Sequence, residues 1–321
     1  MPATKSPTVC GITIYPIKSC GGISLKTCKV GPLGLENDRR FMFVEDSIKR
    51  FITQRVYPSL AFIHPLIDEA RNLLTLTTEG QDSLELPLHP DTKNLKLYSV
   101  QLWKDDLMAY DVGEAASEWI TTFLRRHADH DQVDKDLNER NVPGIMRMVV
   151  LDPSNGQYER PAHPQLPGVQ SPFTDQSPVS MGFESSREDM NRNLLRRGVS
   201  NGQTIPMSRF RDNISIKDTI SWEEDEWLVA KVGDVTYYII EPLARCPLTC
   251  IDQETAKKDK WKDSSVLEHL KKTRQFENTP GNGYFCVHTA PLTAGTVSIG
   301  DGVKVLERIP VEYRKKILQS E

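Results

Sequence analysis

The sequence predicts a mixed α+β fold that is mostly β, in two lobes at residues 8–126 and 145–308 joined by a charged connection at 127–144. Three observations carry this prediction. Short runs of β-branched or alternating apolar residues, separated by Gly, Pro and polar turns, fill the first hundred residues, a spacing that suits a barrel or sandwich rather than βαβ units. A second strand-rich stretch follows residue 208. Only three segments show a helical apolar period.

In chain order, "CGITIYPIKS", "ISLKTCKV", "RFMFVED", "LAFIHPLID", "LLTLTT" and "LKLYSVQLW" read as strands. "GEAASEWITTFLRR" puts Ala116, Trp119, Ile120 and Phe123 on one helical stripe, with Arg125 and Arg126 at the C-terminal end, where cations are favoured. "HADHDQVDKDLNERNVPG" is charged and poor in apolar residues, so it reads as a linker. "IMRMVVLDP" opens the second lobe as a strand, and the Pro- and Gln-rich stretch 161–178 is expected to be largely irregular. "SSREDMNRNLLRRG" reads as a helix capped by Ser185 or Ser186 and stopped at Gly198. Strands return in "RFRDNISI", "EWLVAKVGDVTYYIIEPL", "GYFCVHTA" and "GTVSIGDGVKVLERI", interrupted by a helix around "SSVLEHLKKTR". "GNG" at 281 and "GDG" at 300 are turn signals, the second a hairpin signal.

Composition narrows the function. A hydrophobic share of 38% with 26% charged residues fits a globular protein with a sizeable core. The formal charge of −4 provides no long-range attraction for nucleic acid or anionic lipid. No run approaches the ~18 apolar residues of a membrane span. Six cysteines are too few for a disulfide scaffold, and their spacing has no CxxC pair. A reducing environment follows. Neither GxGxxG nor GxxxxGK[ST] is present, so nucleotide chemistry of the usual kinds lacks support, and no GxSxG elbow motivates a serine hydrolase. The H-x-x-H of "HADH" could face a metal, but no other ligand is implied and the segment reads better as a solvated helix end running into an acidic loop. "KKDKWK" at 257–262 is balanced by Glu254, Asp259 and Asp263, which suits a solvated face.

A set of polar residues at strand ends is more informative. Lys18 and Ser19 close the first strand, Arg39 precedes another, and Arg211 with Asn213 enters a third. Cations and a hydroxyl in such places suit an anion such as phosphate, although sequence cannot bring them together. Cys246 follows Arg245, which would favour the thiolate if it turned that way, and Pro247 after it fixes the chain direction. A thiolate there could ligate a transition metal with open positions or be packed and inert.

The same residues carry a family resemblance. "IYPIKSCGGISL" and "GLENDRRFMFVED" resemble the N-terminal barrel of MOSC proteins. "DQSPVS", "SSREDMNRNLL", "RFRDNI", "EDEWLVAKVGDV", "RCPLTCIDQET" and "GTVSIGDGVKVL", in that order, resemble the MOSC domain of the mitochondrial amidoxime-reducing component and its relatives. The resemblance implies an N-terminal MOSC β-barrel lobe followed by a MOSC domain with a β-barrel core and flanking helices. It also implies a molybdenum cofactor, a pyranopterin whose dithiolene holds the metal.

By that resemblance Cys246 supplies the protein thiolate to molybdenum, and Cys250 has no such role. Lys18, Ser19 and Arg39 hold the cofactor's polar and phosphate end, with Asp175, Gln176, Ser177, Arg211 and Asn213 adding contacts. Ala244 stands where the reducing component often has serine. The implied activity is two-electron N–O reduction of amidoximes, N-hydroxyguanidines or hydroxylamines. Electrons are expected from a cytochrome b5-type donor fed by an NADH-dependent flavin reductase, because no flavin or haem motif is present. The alternative is a carrier of molybdenum cofactor or persulfide sulfur. MOSC domains also end molybdenum cofactor sulfurases, whose pyridoxal-phosphate desulfurase has no matching motif here. Residues 1–19 show no targeting pattern, so a cytoplasmic location is expected, or the cytosolic face of the mitochondrial outer membrane if a targeting segment is missing.

Overall fold

The computed structural model describes residues 6–131, 143–155, 158–163, 166–259, 261, 265–276, 279–309 and 317–318. Two β systems dominate it. The first is a closed barrel ordered Leu97–Leu102, Asp105–Asp111, Met146–Val150, Phe41–Glu45 and Arg50–Phe51, whose last strand pairs in parallel with the first. The second is an eight-stranded sheet ordered Ile23–Ser24, Thr8–Ile14, Ile214–Lys217, Val179–Phe183, Tyr284–Pro291, Val235–Ala244, Trp227–Val232 and Val303–Arg308. This sheet curls back on itself. Val303 N donates to Pro7 O (2.8 Å), Val9 N donates to Asp301 O (2.9 Å), and Thr8 bridges Gly302. The apolar faces line its interior, where Val9, Ile12, Val179, Met181, Phe183, Ile214, Trp227 and Tyr237 form one core.

The helices pack where the apolar stripes require. Ala116, Trp119, Ile120 and Phe123 on helix Glu114–Arg126 are all buried against Phe41, Met146 and Met148 of the first barrel. Helix Glu184–Arg196 buries Met190 and Leu194 with Val266 and Leu270 of helix Val266–Thr273. Ser265 caps the latter, its hydroxyl accepting from Glu268 N at 3.2 Å.

Several local expectations are corrected. Neither Ser185 nor Ser186 caps its helix: the N-cap is Phe183, while Ser186 Oγ accepts from Trp222 N (2.8 Å) and Ser185 pairs with Thr219. Gly198 does end that helix, at φ +64°. "LAFIHPLID" begins as a 3-10 turn, Pro58–Phe62, before strand His64–Asp68. Within 161–178, Pro161–His163 and Leu166–Gln170 pair as strands, and among the described residues the irregular backbone is at 171–178. The turn at Gly300 does not make a hairpin, because Gly295–Ser298 pairs with Thr27–Gly31 and Val303–Arg308 pairs with Trp227–Val232.

The expected boundaries at 127 and 145 do not coincide with the sheets. Met146–Val150 closes the first barrel between Phe41–Glu45 and Asp105–Asp111, and Thr8–Ile14 belongs to the second system. The connection begins as a short helix, Ala128–Asp131, whose Asp131 is buried and accepts from Ser59 N (2.7 Å) and Ser59 Oγ (2.6 Å). Residues 132–142 of the expected linker, with Lys260, Lys262 and Asp263 of the lysine-rich stretch, lie outside the described residues. Among the described residues, no helix is long and apolar enough to cross a membrane.

The Phe123 ring is fully buried between helix and barrel. Phe123→Ala is therefore expected to lower unfolding free energy by about 3–5 kcal/mol, read as a reduced midpoint in urea melts monitored by circular dichroism.

Candidate functional site

Strand Thr8–Ile14 leaves the second sheet and runs straight into the first barrel, where Ile17 bridges Phe41 and Lys18 N donates to Phe41 O (2.9 Å). The step between the two systems therefore falls at Lys18 and Ser19. Ser19 takes φ +69°, and its carbonyl accepts from Gln54 Nε2 (2.7 Å). Other irregular segments meet here: the turn 36–39, the loop 171–178, the turn after Met207–Phe210, and the end of strand Val235–Ala244. They enclose a cavity of about 280 Å³, and Lys18, Ser19, Arg39, Asp175, Gln176, Ser177, Arg211, Asn213 and Cys246 all line it.

The lining is cationic. Lys18, Arg39, Arg55, Arg211 and Arg245 face Asp175, the one carboxylate of the set. Lys18 is 6% exposed and its Nζ donates to Phe173 O (3.0 Å) and to the Asp175 carboxylate. Burial outweighs that partner and pushes Lys18 down to about 8. Desolvation works against Asp175, but the Lys18 ammonium prevails and holds its carboxyl well below the ordinary range. Arg39 and Arg211 both sit over the Tyr15 ring, 4.3 and 4.1 Å from its centroid. Asp38 binds Arg39 Nη1 through both oxygens, each at 2.6 Å, and accepts from Tyr15 N (2.8 Å). Arg39 Nη2 donates to Arg211 O (3.1 Å), tying the two turns together.

Arg211 takes a left-handed φ of +52° and is 8% exposed. Burial, with Arg39 adding to it, pushes its guanidinium down to about 10. One of its amino nitrogens, Nη2, is buried without a hydrogen-bond partner, as is Nε of Arg245. Buried cationic donors left unpaired are costly, and both residues line the cavity.

The remaining residues divide by role. Asn213 is held by its neighbours: Nδ2 donates to Thr13 O (3.1 Å) while Oδ1 accepts from Ser180 N (3.1 Å). Its amide fixes the two strands beside the cavity. Ser177 Oγ donates to Val179 O (3.0 Å) and so accepts from His288 Nδ1 (2.7 Å). Gln176 Nε2 reaches Glu241 Oε1 (3.3 Å). Cys246 is half-buried in extended conformation at the N-terminus of the turn Pro247–Cys250, its carbonyl accepting from Thr249 N (3.1 Å) and Thr249 Oγ1 (2.9 Å). Arg245 turns toward Phe210, donating to its carbonyl (2.5 Å) with its guanidinium 5.3 Å from the ring centroid. Cys250 is not among the lining residues, and all six cysteines are free.

Sequence reasoning did not single out the residues that hold this lining in place. Arg160 is buried and donates to the carbonyls of Pro172, Thr174 and Asp175, each at 2.8 Å. Gln54 and Gln253 exchange a reciprocal pair of amide bonds (3.1 and 2.9 Å), and Arg211 Nη1 contacts Gln253 Oε1 (3.4 Å). Trp103 donates Nε1 to Asp175 (3.2 Å) and carries Arg55 over its ring at 4.3 Å. Only the rule that irregular buried backbone needs donors could have pointed to Arg160. The metal reading of "HADH" is not supported: His127 Nδ1 and His130 Nε2 engage the carbonyls of Phe123 (2.9 Å) and Ala256 (3.2 Å). No group of three potential metal-binding side chains occurs among the described residues.

Two joined β systems with a thiol and buried cations at their seam match a known pair of domains. Residues 6–127 match the MOSC N-terminal beta barrel domain and residues 169–304 the MOSC domain. The chain therefore belongs to the MOSC-domain proteins. It is 25% identical to "Molybdenum cofactor sulfurase" of Bos taurus over 94% of this chain, spanning only 32% of that relative's length. It is 28% identical to "Mitochondrial amidoxime reducing component 2" of Bos taurus (92% of this chain, 82% of the relative). With "Mitochondrial amidoxime-reducing component 1" of Homo sapiens the identity is 27% (93% and 83%).

The low pKa of Lys18 has a thermodynamic consequence. From about pH 8 to pH 10 the unfolded chain keeps this proton and the folded chain releases it, so stability rises with pH across the window. The rise is expected to shrink in Lys18→Met, measured as urea midpoints at successive pH values.

Proposed function

We propose that the seam cavity binds a molybdenum cofactor and that the protein reduces N-hydroxylated compounds. The unpartnered Nη2 of the buried Arg211, in a cavity lined by five cations and one carboxylate, carries this reading. It calls for an anionic occupant, and the phosphate-bearing end of a pyranopterin provides one. Lys18, Ser19, Arg39 and Arg211 would hold that end, with the 175–177 loop closing over it. Asn213 keeps the strands in register beneath. Cys246, half-buried at the same cavity, would be the protein thiolate to molybdenum.

Bound there, the cofactor would supply two-electron redox chemistry: the N–OH substrate takes up two electrons and two protons, its N–O bond breaks, and one proton stays on nitrogen while the other leaves with the oxygen as water. The chain's own contribution is to hold, orient and shield. Buried guanidiniums fix the anionic end without needing solvent, Arg160 keeps the 172–175 carbonyls directed, and Trp103 with Arg55 forms an aromatic and cationic edge. Electrons would come from an external cytochrome b5-type donor supplied by an NADH-dependent flavin reductase. The relatives named as amidoxime-reducing components, matched over about four-fifths of their length, support this reading over others.

A carrier of cofactor or sulfur is the second reading, favoured by the match to one third of the sulfurases' length. Cofactor-loaded protein given benzamidoxime and an artificial electron donor separates the two. Turnover supports the reductase, and transfer of cofactor to an apo-enzyme without turnover supports the carrier.

The thiol assignment has its own test. Cys246→Ala is expected to lower turnover by about 100-fold or more, beyond what loss of an outer partner typically costs, with an unchanged circular dichroism spectrum. Cys250→Ser is expected to retain molybdenum by elemental analysis. A Cys246→Ala protein that is fully active and replete with metal would refute the assignment.

A further inference from the structure

Of the five cations that line the seam cavity, four are already engaged by the protein. Lys18 donates to Phe173 O and Asp175, Arg39 to Asp38 and Arg211 O, Arg211 to Gln253 Oε1, and Arg245 to Phe210 O. Arg55 differs. Among the described residues its guanidinium makes no hydrogen bond and no ion pair, and it rests instead on the Trp103 ring, with Cζ 4.3 Å from the centroid. Asp175, whose carboxyl Arg55 helps to hold down, is committed to Lys18 and to Trp103 Nε1.

The platform under Arg55 is fixed. Trp103 takes φ +59° at the tip between strands Leu97–Leu102 and Asp105–Asp111. Its ring donates Nε1 to Asp175 (3.2 Å) and meets the Phe51 ring edge-on, 4.9 Å between centroids. Arg55 N donates to Thr53 Oγ1 (3.3 Å), and the neighbouring Gln54 amide is bonded to Gln253, on the segment that follows Cys246. Exposure sets this group apart from the buried cations. Lys18, Arg39 and Arg211 are more than nine-tenths buried, whereas Arg55, Trp103 and Cys246 are half-buried and the Asp175 side chain is 57% exposed. The accessible part of the lining therefore includes the thiol, the indole and the unengaged guanidinium.

A guanidinium held flat on an aromatic ring keeps its N–H fork in one plane and loses little freedom when a planar, two-oxygen acceptor binds. A carboxylate fits that fork through two parallel hydrogen bonds. We propose that Arg55, on its Trp103 platform, is a specificity-determining residue that binds a carboxylate of the substrate, so that the preferred substrates are N-hydroxylated compounds carrying a carboxylate away from the N–OH group. The assignment rests on the reductase reading above and names its substrate class.

The test compares 4-carboxybenzamidoxime, benzamidoxime and 4-(aminomethyl)benzamidoxime on cofactor-loaded protein with reduced methyl viologen as donor. The carboxylate is expected to lower KM about tenfold relative to benzamidoxime, an advantage that shrinks with added salt. Arg55→Gln should remove the advantage, and Arg55→Glu should transfer it to the aminomethyl compound, an inversion that general damage to the fold would not produce. Trp103→Leu keeps the charge but removes the platform, and is expected to reduce the preference several-fold. Calorimetric binding of 4-carboxybenzamide against benzamide needs no turnover. The wild-type chain should bind the carboxylate about tenfold more tightly, and Arg55→Gln should not. If no N-hydroxylated compound is turned over, the reductase reading fails, while the binding comparison still decides whether Arg55 selects carboxylates. Absence of a carboxylate preference in the wild type, an equal loss on all three substrates in Arg55→Gln, or an undiminished preference in that variant overturns the assignment.

Discussion

Burial of three cations at one seam is the constraint on which the rest of the structure depends. Lys18, Arg39 and Arg211 are each more than nine-tenths buried, in a chain whose overall charge is negative. Placing an ionised side chain out of water is unfavourable unless something answers it. Asp38 answers Arg39, Asp175 answers Lys18, and the Tyr15 ring lies beneath both guanidiniums. Arg211 is left with an idle donor, and burial lowers its pKa. Ser19, Arg39 and Arg211 each take a left-handed φ here, so the backbone at these three positions is held by its surroundings.

Rigid elements alone would not hold such a seam, because its walls are mostly turns. The walls are fixed by side chains that bond backbone. Arg160 gathers three carbonyls of one loop, Gln54 takes the carbonyl of Ser19, and the Gln54–Gln253 amide pair joins the segment after the first barrel's Arg50–Phe51 strand to the segment after Cys246. Amides suit this position because they carry no charge to compete with the cations. His130, bonded to Ala256 O, ties the same Cys246-side segment to the short helix at 128–131.

Much of this was legible in the sequence, and the rest was not for identifiable reasons. Strand runs and the 113–126 helix follow from local periodicity, which Ala116, Trp119, Ile120 and Phe123 satisfy in full. Lys18, Arg39, Arg211 and Cys246 could be recognised as chemically suited to an anion and a metal, and their motifs resembled one family. Their convergence was not legible, since it depends on strand pairings 200 residues apart, such as Thr13 with Asn213. Arg160 escaped notice because its partners are three loop carbonyls and Asp105, 55 positions away, which no local pattern reveals. Met146–Val150 was assigned to the wrong lobe for a similar reason: a strand's period states which face is buried, not which sheet receives it.

The exchange of strands between the two β systems makes the chain a laced object rather than a pair of beads. Thr8–Ile14, first in sequence, is a stave of the second system, and Met146–Val150, past the middle, is a stave of the first. Any single cut between residues 15 and 145 strands a stave on the wrong side, so neither half can close its own hydrogen-bonded ring. Shuffling one domain without the other would thus leave open sheet edges. Each β system borrows a strand from the other's stretch of sequence, and the cavity where they meet is a property of their union rather than of either one.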